Sequence, residues 1–240
     1  APLAHARGHS PDESQSRARA WLAALLGGFT LLCLPLLLSD RESNYTFDET
    51  SYHLPAIRQI RDHWPALDLR RDSLSATAPG YQYALATVSL LTGADRLPLR
   101  LANLAVSLGV LLLLWRLWPA PAMPAAAFLA VAPLAGSNFF VKSASYVVTD
   151  NAALLTTAGT LGALLLLPAG AGLRRGSVLA AATVLIRQSG VWLVAPLGLR
   201  ILADPRRLTL LAFLIPPLAI LAWLVTSWGG LVPPVWRDLT

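Results

Sequence analysis

The chain is short of charge. Only 13% of its 240 residues are Asp, Glu, Lys or Arg, against 55% hydrophobic, too few polar side chains to cover a soluble globule of this size. Part of its solvent is therefore lipid. Lysine is almost missing: Lys142 is the sole example, so the net charge of +6 rests on arginine. Those arginines are scattered at the ends of apolar runs and form no single stripe, which speaks against a nucleic-acid partner and matches a multi-span membrane protein. Cys33 is the only cysteine and lies inside an apolar run. No intrachain disulfide and no thiolate metal site can form.

Long apolar runs are what the sequence has in quantity. Crossing the hydrocarbon takes about 20 apolar residues, with about 17 as the lower limit. The runs 21–38, 98–118, 122–140, 151–168 and 208–227 meet that length. The run 80–92 is too short, and 177–203 is long enough but carries Arg187, Gln188 and Gly190 in its middle. The polar segment 1–20, with Arg7, Arg17 and Arg19, reads as cytoplasmic, and the run after it as an uncleaved first span.

Short arginine-rich loops stay on the cytoplasmic side. That rule makes 39–97 one long outer loop, with 80–92 lying in the interface. It keeps Arg116, Arg174, Arg175, Arg206 and Arg207 inside. The stretch 177–203 becomes a short hairpin broken at Arg187, a break tolerated only where it is packed in protein or lines a wet cavity. Asp48, Glu49, His53, Lys142, Asp150, Arg187 and Arg237 then share the outer or lumenal face. The predicted fold is all-α, a multi-pass transmembrane bundle forming one domain over 21–240, with interfacial helices in its first outer loop.

The stretch YTFDETSYHLP (45–55) concentrates polar chemistry just after the first span. Thr46 and Glu49 have the spacing of a capping box, which puts Asp48 in a first helical turn where the dipole favours its ionised form. A carboxylate at the rim of an apolar bundle suits a general base acting on a hydroxyl nucleophile. A four-residue spacing places Glu49 near His53 and Asp48 near Tyr52. Pro55 interrupts this helix or opens a second one, whose stripe Leu54, Ile57, Ile60 or Arg61, and Trp64 fits the membrane interface. Solvated loop acids with a structural cap are the competing reading. Arg187, a guanidinium inside an apolar segment, either lines a functional cavity or pairs with Asp150 to hold helices together. Its forked donors suit a phosphate. Lys142 has a bland alternative too, snorkelling to the headgroups.

Separate stretches agree with one family. DETSYH (48–53), TAPGY (77–81), LRLAN (99–103), YVVTD (146–150), RQSGVW (187–192) and WGG (228–230) resemble, in the same order, pieces of the dolichyl-phosphate-glucose α-1,2-glucosyltransferases. These enzymes add the last glucose to the lipid-linked oligosaccharide and belong to the wider GT-C class of polyprenyl-phosphate-sugar transferases. The resemblance covers most of 47–230. It implies a GT-C-like bundle acting at the lumenal or periplasmic face, without a metal or other cofactor. Its partners would be a polyprenyl-phosphate sugar donor, a glycan or lipid-linked acceptor, and the bilayer. Asp48 would stand where the acceptor-activating acid does, with Glu49 second. Arg187 would meet the donor phosphate, helped by Lys142 or His53, while Asp150, Gln188, Trp192 and Tyr52 would shape the sugar or acceptor pocket. A single in-line attack would invert the anomeric carbon.

The sequence departs from the family where a twin proline is reduced to Ala78-Pro79, and where LVPPVWRD (231–238) follows WGG. Family members continue for several more spans. The sequence is therefore either the N-terminal part of a longer chain or one without the remaining helices. A transporter or flippase would spread ionisable residues at mid-depth through the spans, whereas here the acids gather at one face. A scaffold that retains the fold is the third reading. Richness in Ala, Leu, Arg and Pro points to a bacterial inner membrane ahead of the endoplasmic reticulum.

Overall fold

A computed structural model describes residues 11–39, 43–70, 72, 74–118 and 122–237. Among these, every regular element is helical. In chain order they are α1 (Pro11–Leu37), α2 (Asn44–Asp48), a π-helical turn (Glu49–His53), α3 (Leu54–Asp62), α4 (Gly80–Thr92), α5 (Arg96–Leu117), α6 (Pro124–Ala135), α7 (Asn138–Ser145), α8 (Asp150–Leu166), α9 (Ala169–Ile186), a 3-10 turn (Gln188–Leu193), α10 (Val194–Leu202), α11 (Arg207–Leu210), a second 3-10 turn (Leu211–Leu214), α12 (Ile215–Trp228) and α13 (Pro234–Arg237).

Four stretches are long and apolar enough to cross a membrane, within α1, α5, α9 and the 207–228 stretch, and a fifth if α6 and α7 count as one. Leu31, Leu129, Leu165 and Leu208 stand with most of their surface uncovered by protein, as side chains that face lipid do. The helix of the first run begins earlier than its hydrophobicity, at Pro11, with Arg17 paired to Glu13 one turn back at 2.6 Å. Residues 1–10 of the predicted polar segment lie outside the described residues.

Two runs differ from their expected form. The run 122–140 bends by 70° between α6 and α7, where Pro133 and the Gly136-Ser137 pair weaken the helical ladder. The Ser137 hydroxyl accepts from the Phe140 amide and restarts the helix. The predicted hairpin does turn at Arg187, but its first arm is the whole of α9, which begins at Ala169. Arg174 and Arg175 therefore sit inside that arm. The return arm, through α10, packs Leu193, Leu197 and Ile201 against Leu173 and Ala180 of α9.

α1, α5, α6 and α7 share a core built on Phe29, Leu111, Trp115 and Phe140. A second cluster lies under the outer loop. There Leu54, Ile57 and Ile60 of α3 meet Tyr81 and Leu85 of α4, together with Leu99, Val147 and Ala152. Leu54, Ile57 and Ile60 of the stripe expected to face the interface are thus buried in protein, while Trp64, just past α3, stays exposed. α4 cannot drift from the bundle either: a Cβ on Gly80 would stand 2.6 Å from the Leu185 carbonyl oxygen of α9. α8 and α9 run antiparallel and share a hydroxyl bond between Thr183 and Thr156 at 2.8 Å, the small-residue and polar packing that suits helices in lipid.

Candidate functional site

Six helix ends meet at one pole of the bundle: the last turns of α1, α7, α9 and α12 and the first turns of α5 and α8. Single polar side chains record each meeting. Trp228 at the end of α12 donates its indole N–H to the Leu69 carbonyl. Asn103 of α5 donates to the Ser143 and Tyr146 carbonyls at the end of α7 and accepts from the Tyr81 hydroxyl of α4. The pieces DETSYH, TAPGY, LRLAN, YVVTD, RQSGVW and WGG all lie at this pole.

The acid stretch is not capped as the spacing predicts. Ser43, not Thr46, closes the start of α2, its hydroxyl accepting from the Thr46 amide at 3.1 Å. Asp48 consequently ends α2 instead of opening it. Its side chain is exposed at the rim, and its pKa is raised above the ordinary carboxylate value, first by partial burial and then by the Asp150 charge. The expected stabilisation of its ionised form is reversed.

Glu49 has no freedom to act as a second base. It is wholly buried (0% exposed) and paired to Arg100 (2% exposed) through two parallel bonds, Nε to Oε1 at 2.9 Å and Nη2 to Oε2 at 2.5 Å. The Val147 amide also donates to Oε1. Reading Glu49 as a cap or an acid missed this partner. Arg100 stands 51 residues away, and only the presence of an arginine just inside an apolar run hinted that a counter-charge must exist.

The chain then widens into the π-helical turn, where the Leu54 amide reaches back to the Glu49 carbonyl. Such bulges re-aim side chains and occur often at functional sites. The four-residue pairing of Glu49 with His53 fails here, since Glu49 is committed to Arg100. His53 turns into the core and accepts from Gln82 Nε2 at 3.1 Å. Burial, and then the Arg187 charge, push its pKa down to about 4. Neutral His53 can offer a phosphate at most a hydrogen bond, not a charge. Tyr52 packs in an aromatic group with Phe47 and Trp236.

Arg187 follows the last residue of α9 in extended conformation and meets Asp150 at the start of α8, Nη2 to Oδ1 at 2.5 Å. Its Nε donates to the Thr149 hydroxyl at 3.0 Å. Both partners stay accessible, Arg187 at 39% and Asp150 at 18%. They line a cavity of about 280 Å³ with Ser189 and Trp192, which continues along Ala153, Leu154 and Thr157 of α8. Those positions follow Asp150 at three, four and seven residues, one face of a helix. A second cavity, about 480 Å³, is lined by Ser43, Asn44, Thr46, Phe47 and Thr50 around the acid stretch.

Of the remaining expected residues, Gln188 does not face the cavity. Its Oε1 accepts from the Ala78 amide and its Nε2 donates to the Ala76 carbonyl, so it fixes the TAPGY segment. Lys142 holds its ammonium 5.8 Å from the centre of the Tyr45 ring, on the acid-stretch side. The structure therefore gathers Asp150, Arg187 and Trp192 around one cavity, leaves Asp48 at the rim within range of the Asp150 charge, keeps His53 buried as a neutral group, and commits Glu49 and Gln188 to other partners.

Searches with family models, among curated proteins and among solved structures find no match to this chain.

Proposed function

We propose that the protein is an inverting glycosyltransferase of the membrane. It would move a hexose, glucose by the motif resemblance, from a polyprenyl-phosphate donor to a lipid-linked or cell-envelope glycan at the outer face. The observation that carries this reading is the position of Asp48. The cavity of Ser43, Asn44, Thr46, Phe47 and Thr50 lies beside it in the chain, and it feels the charge of Asp150, which lines the Arg187 cavity.

Each side offers the chemistry that one substrate needs. Arg187 has a planar fork for a phosphate, and below it the Ala153, Leu154 and Thr157 face of α8 offers an apolar path for an isoprenoid tail. Hydroxyls, an amide and the Phe47 ring on the other side suit a glycan. The acceptor hydroxyl oxygen attacks the anomeric carbon and its proton passes to Asp48, whose raised pKa makes it the stronger base. The bond from the anomeric carbon to the phosphate oxygen breaks with its electron pair. Polyprenyl phosphate leaves with its charge held by Arg187, which exchanges Asp150 for the phosphate.

Purified protein in liposomes, given radiolabelled polyprenyl-phosphate hexoses and a lipid-linked glycan extract, tests this. Wild type transfers label, and Asp48→Asn loses about 100-fold or more of the rate while inserting normally. Full transfer by Asp48→Asn would remove the base and the mechanism with it.

A further inference from the structure

The Glu49–Arg100 pair does more than bury two charges. Arg100 is placed to tie four segments. Its Nε and Nη2 hold Glu49, and its Nη1 donates to the Leu37 and Ser39 carbonyls at 3.0 and 2.9 Å, where α1 ends. Glu49 in turn accepts from the Val147 amide at 3.1 Å, and the Tyr146 ring lies 4.9 Å from the Arg100 guanidinium carbon. Free carbonyls at a helix C-terminus attract a cation, so the guanidinium joins the end of the first span to the acid stretch. One residue from Glu49 stands Asp48. Two and three residues from Val147 stand Thr149 and Asp150, both bound to Arg187.

We infer that Glu49 and Arg100 form a register clamp, a pair of positioning residues that fixes Asp48 against the Asp150–Arg187 end of the site. The geometry favours this over simple stabilisation. A buried ion pair is no better for stability than apolar residues of the same volume, and often worse, whereas its two-bond fork allows only one relative placement. The carbonyl bonds and the Val147 bond carry that placement to both halves of the site. The catalytic part of the inference rests on the proposed transferase reading; the geometric part does not.

The test uses the whole chain with both charges removed together, Glu49→Gln/Arg100→Leu, because Glu49→Gln alone leaves a buried guanidinium unpaired. In a Cys33→Ala background, spin labels at Ser51→Cys and Ser189→Cys, both exposed positions, report the distance between the two halves. The clamp predicts one narrow distance distribution with the pair present and a broad or shifted one without it. Transfer kinetics on the unlabelled double variant show kcat lowered by about 100-fold with donor KM within about threefold of wild type. An unchanged narrow distribution overturns the clamp. So does an unchanged kcat, or a loss carried by KM alone. Should the double variant not fold, Arg100→Lys, which keeps the charge and loses the fork, is read by the same two measurements. If wild type transfers no hexose at all, the proposed function fails while the spin-label distances still decide the clamp.

Discussion

Arg187 and Asp150 meet at 2.5 Å where α9 ends and α8 begins, and both are half-buried, with the guanidinium the more accessible partner. Because the pair lines a cavity and is not sealed in the core, either partner can be replaced by a ligand of the same charge. Asp150 also acts on Asp48, adding to the rise in its pKa that partial burial produces. In the proposed mechanism the same carboxylate parks the cation that meets the phosphate and strengthens the base.

Asp150→Asn separates these roles. Removing a negative charge near Asp48 stabilises its ionised form, so its pKa falls towards the ordinary carboxylate value. A base is active only when deprotonated, and activity is lost as pH falls through its pKa. The acid limb of the kcat/KM profile should move to lower pH in Asp150→Asn. A limb that stays in place would show that Asp150 does not tune the base.

His53 gives a stability signature. Its folded pKa, pushed down to about 4, lies below the unfolded value near 6.5. The unfolded state therefore binds the extra proton first. The contribution of neutral His53 is fully present above pH about 6.5 and is lost as pH falls towards about 4. Thermal unfolding in detergent across that window should fall more steeply for wild type than for His53→Gln. Parallel curves would mean that the imidazole is solvated in the native state.

Gly80→Ala probes the seating of α4. The new methyl would sit 2.5 Å from the Leu185 Cγ and 2.6 Å from its carbonyl oxygen, and the backbone atom cannot turn aside. Overpacking of this kind costs about 1–3 kcal/mol. A lowered Tm is expected, together with weaker transfer, because Gln82 on the same helix supports His53. An unchanged Tm would place α4 away from α9.

How much of this was legible in the sequence follows from the range of each signal. Gly80–Thr92 is read to the residue, since Pro79 and Gly93 bracket it. The 151–168 run becomes α8 with a shift of one or two residues, and the turn at Arg187 is marked by its own polarity. These are local features. The bend at Gly136-Ser137 is local too, yet its apolar flanks mask it in a window chosen for spans. Long-range pairing leaves no comparable trace. Nothing in the chain says that Glu49 belongs to Arg100 or that Gln188 belongs to Ala76 and Ala78, because each bond joins residues more than 50 positions apart. The α3 stripe shows the same limit, as periodicity gives a buried face without telling whether lipid or protein covers it.

The central claim of the proposed function is that Asp48 and Arg187 act on one donor–acceptor pair from the side of the membrane opposite the arginine-rich loops. Membrane-impermeant thiol labelling of intact cells tests it, in a Cys33→Ala background with single cysteines at Ser51, Ser189 and Arg175. The account predicts that Ser51→Cys and Ser189→Cys label from outside and that Arg175→Cys labels only after permeabilisation. Labelling of Ser51→Cys and Ser189→Cys from opposite sides, or of both only after permeabilisation, would contradict it.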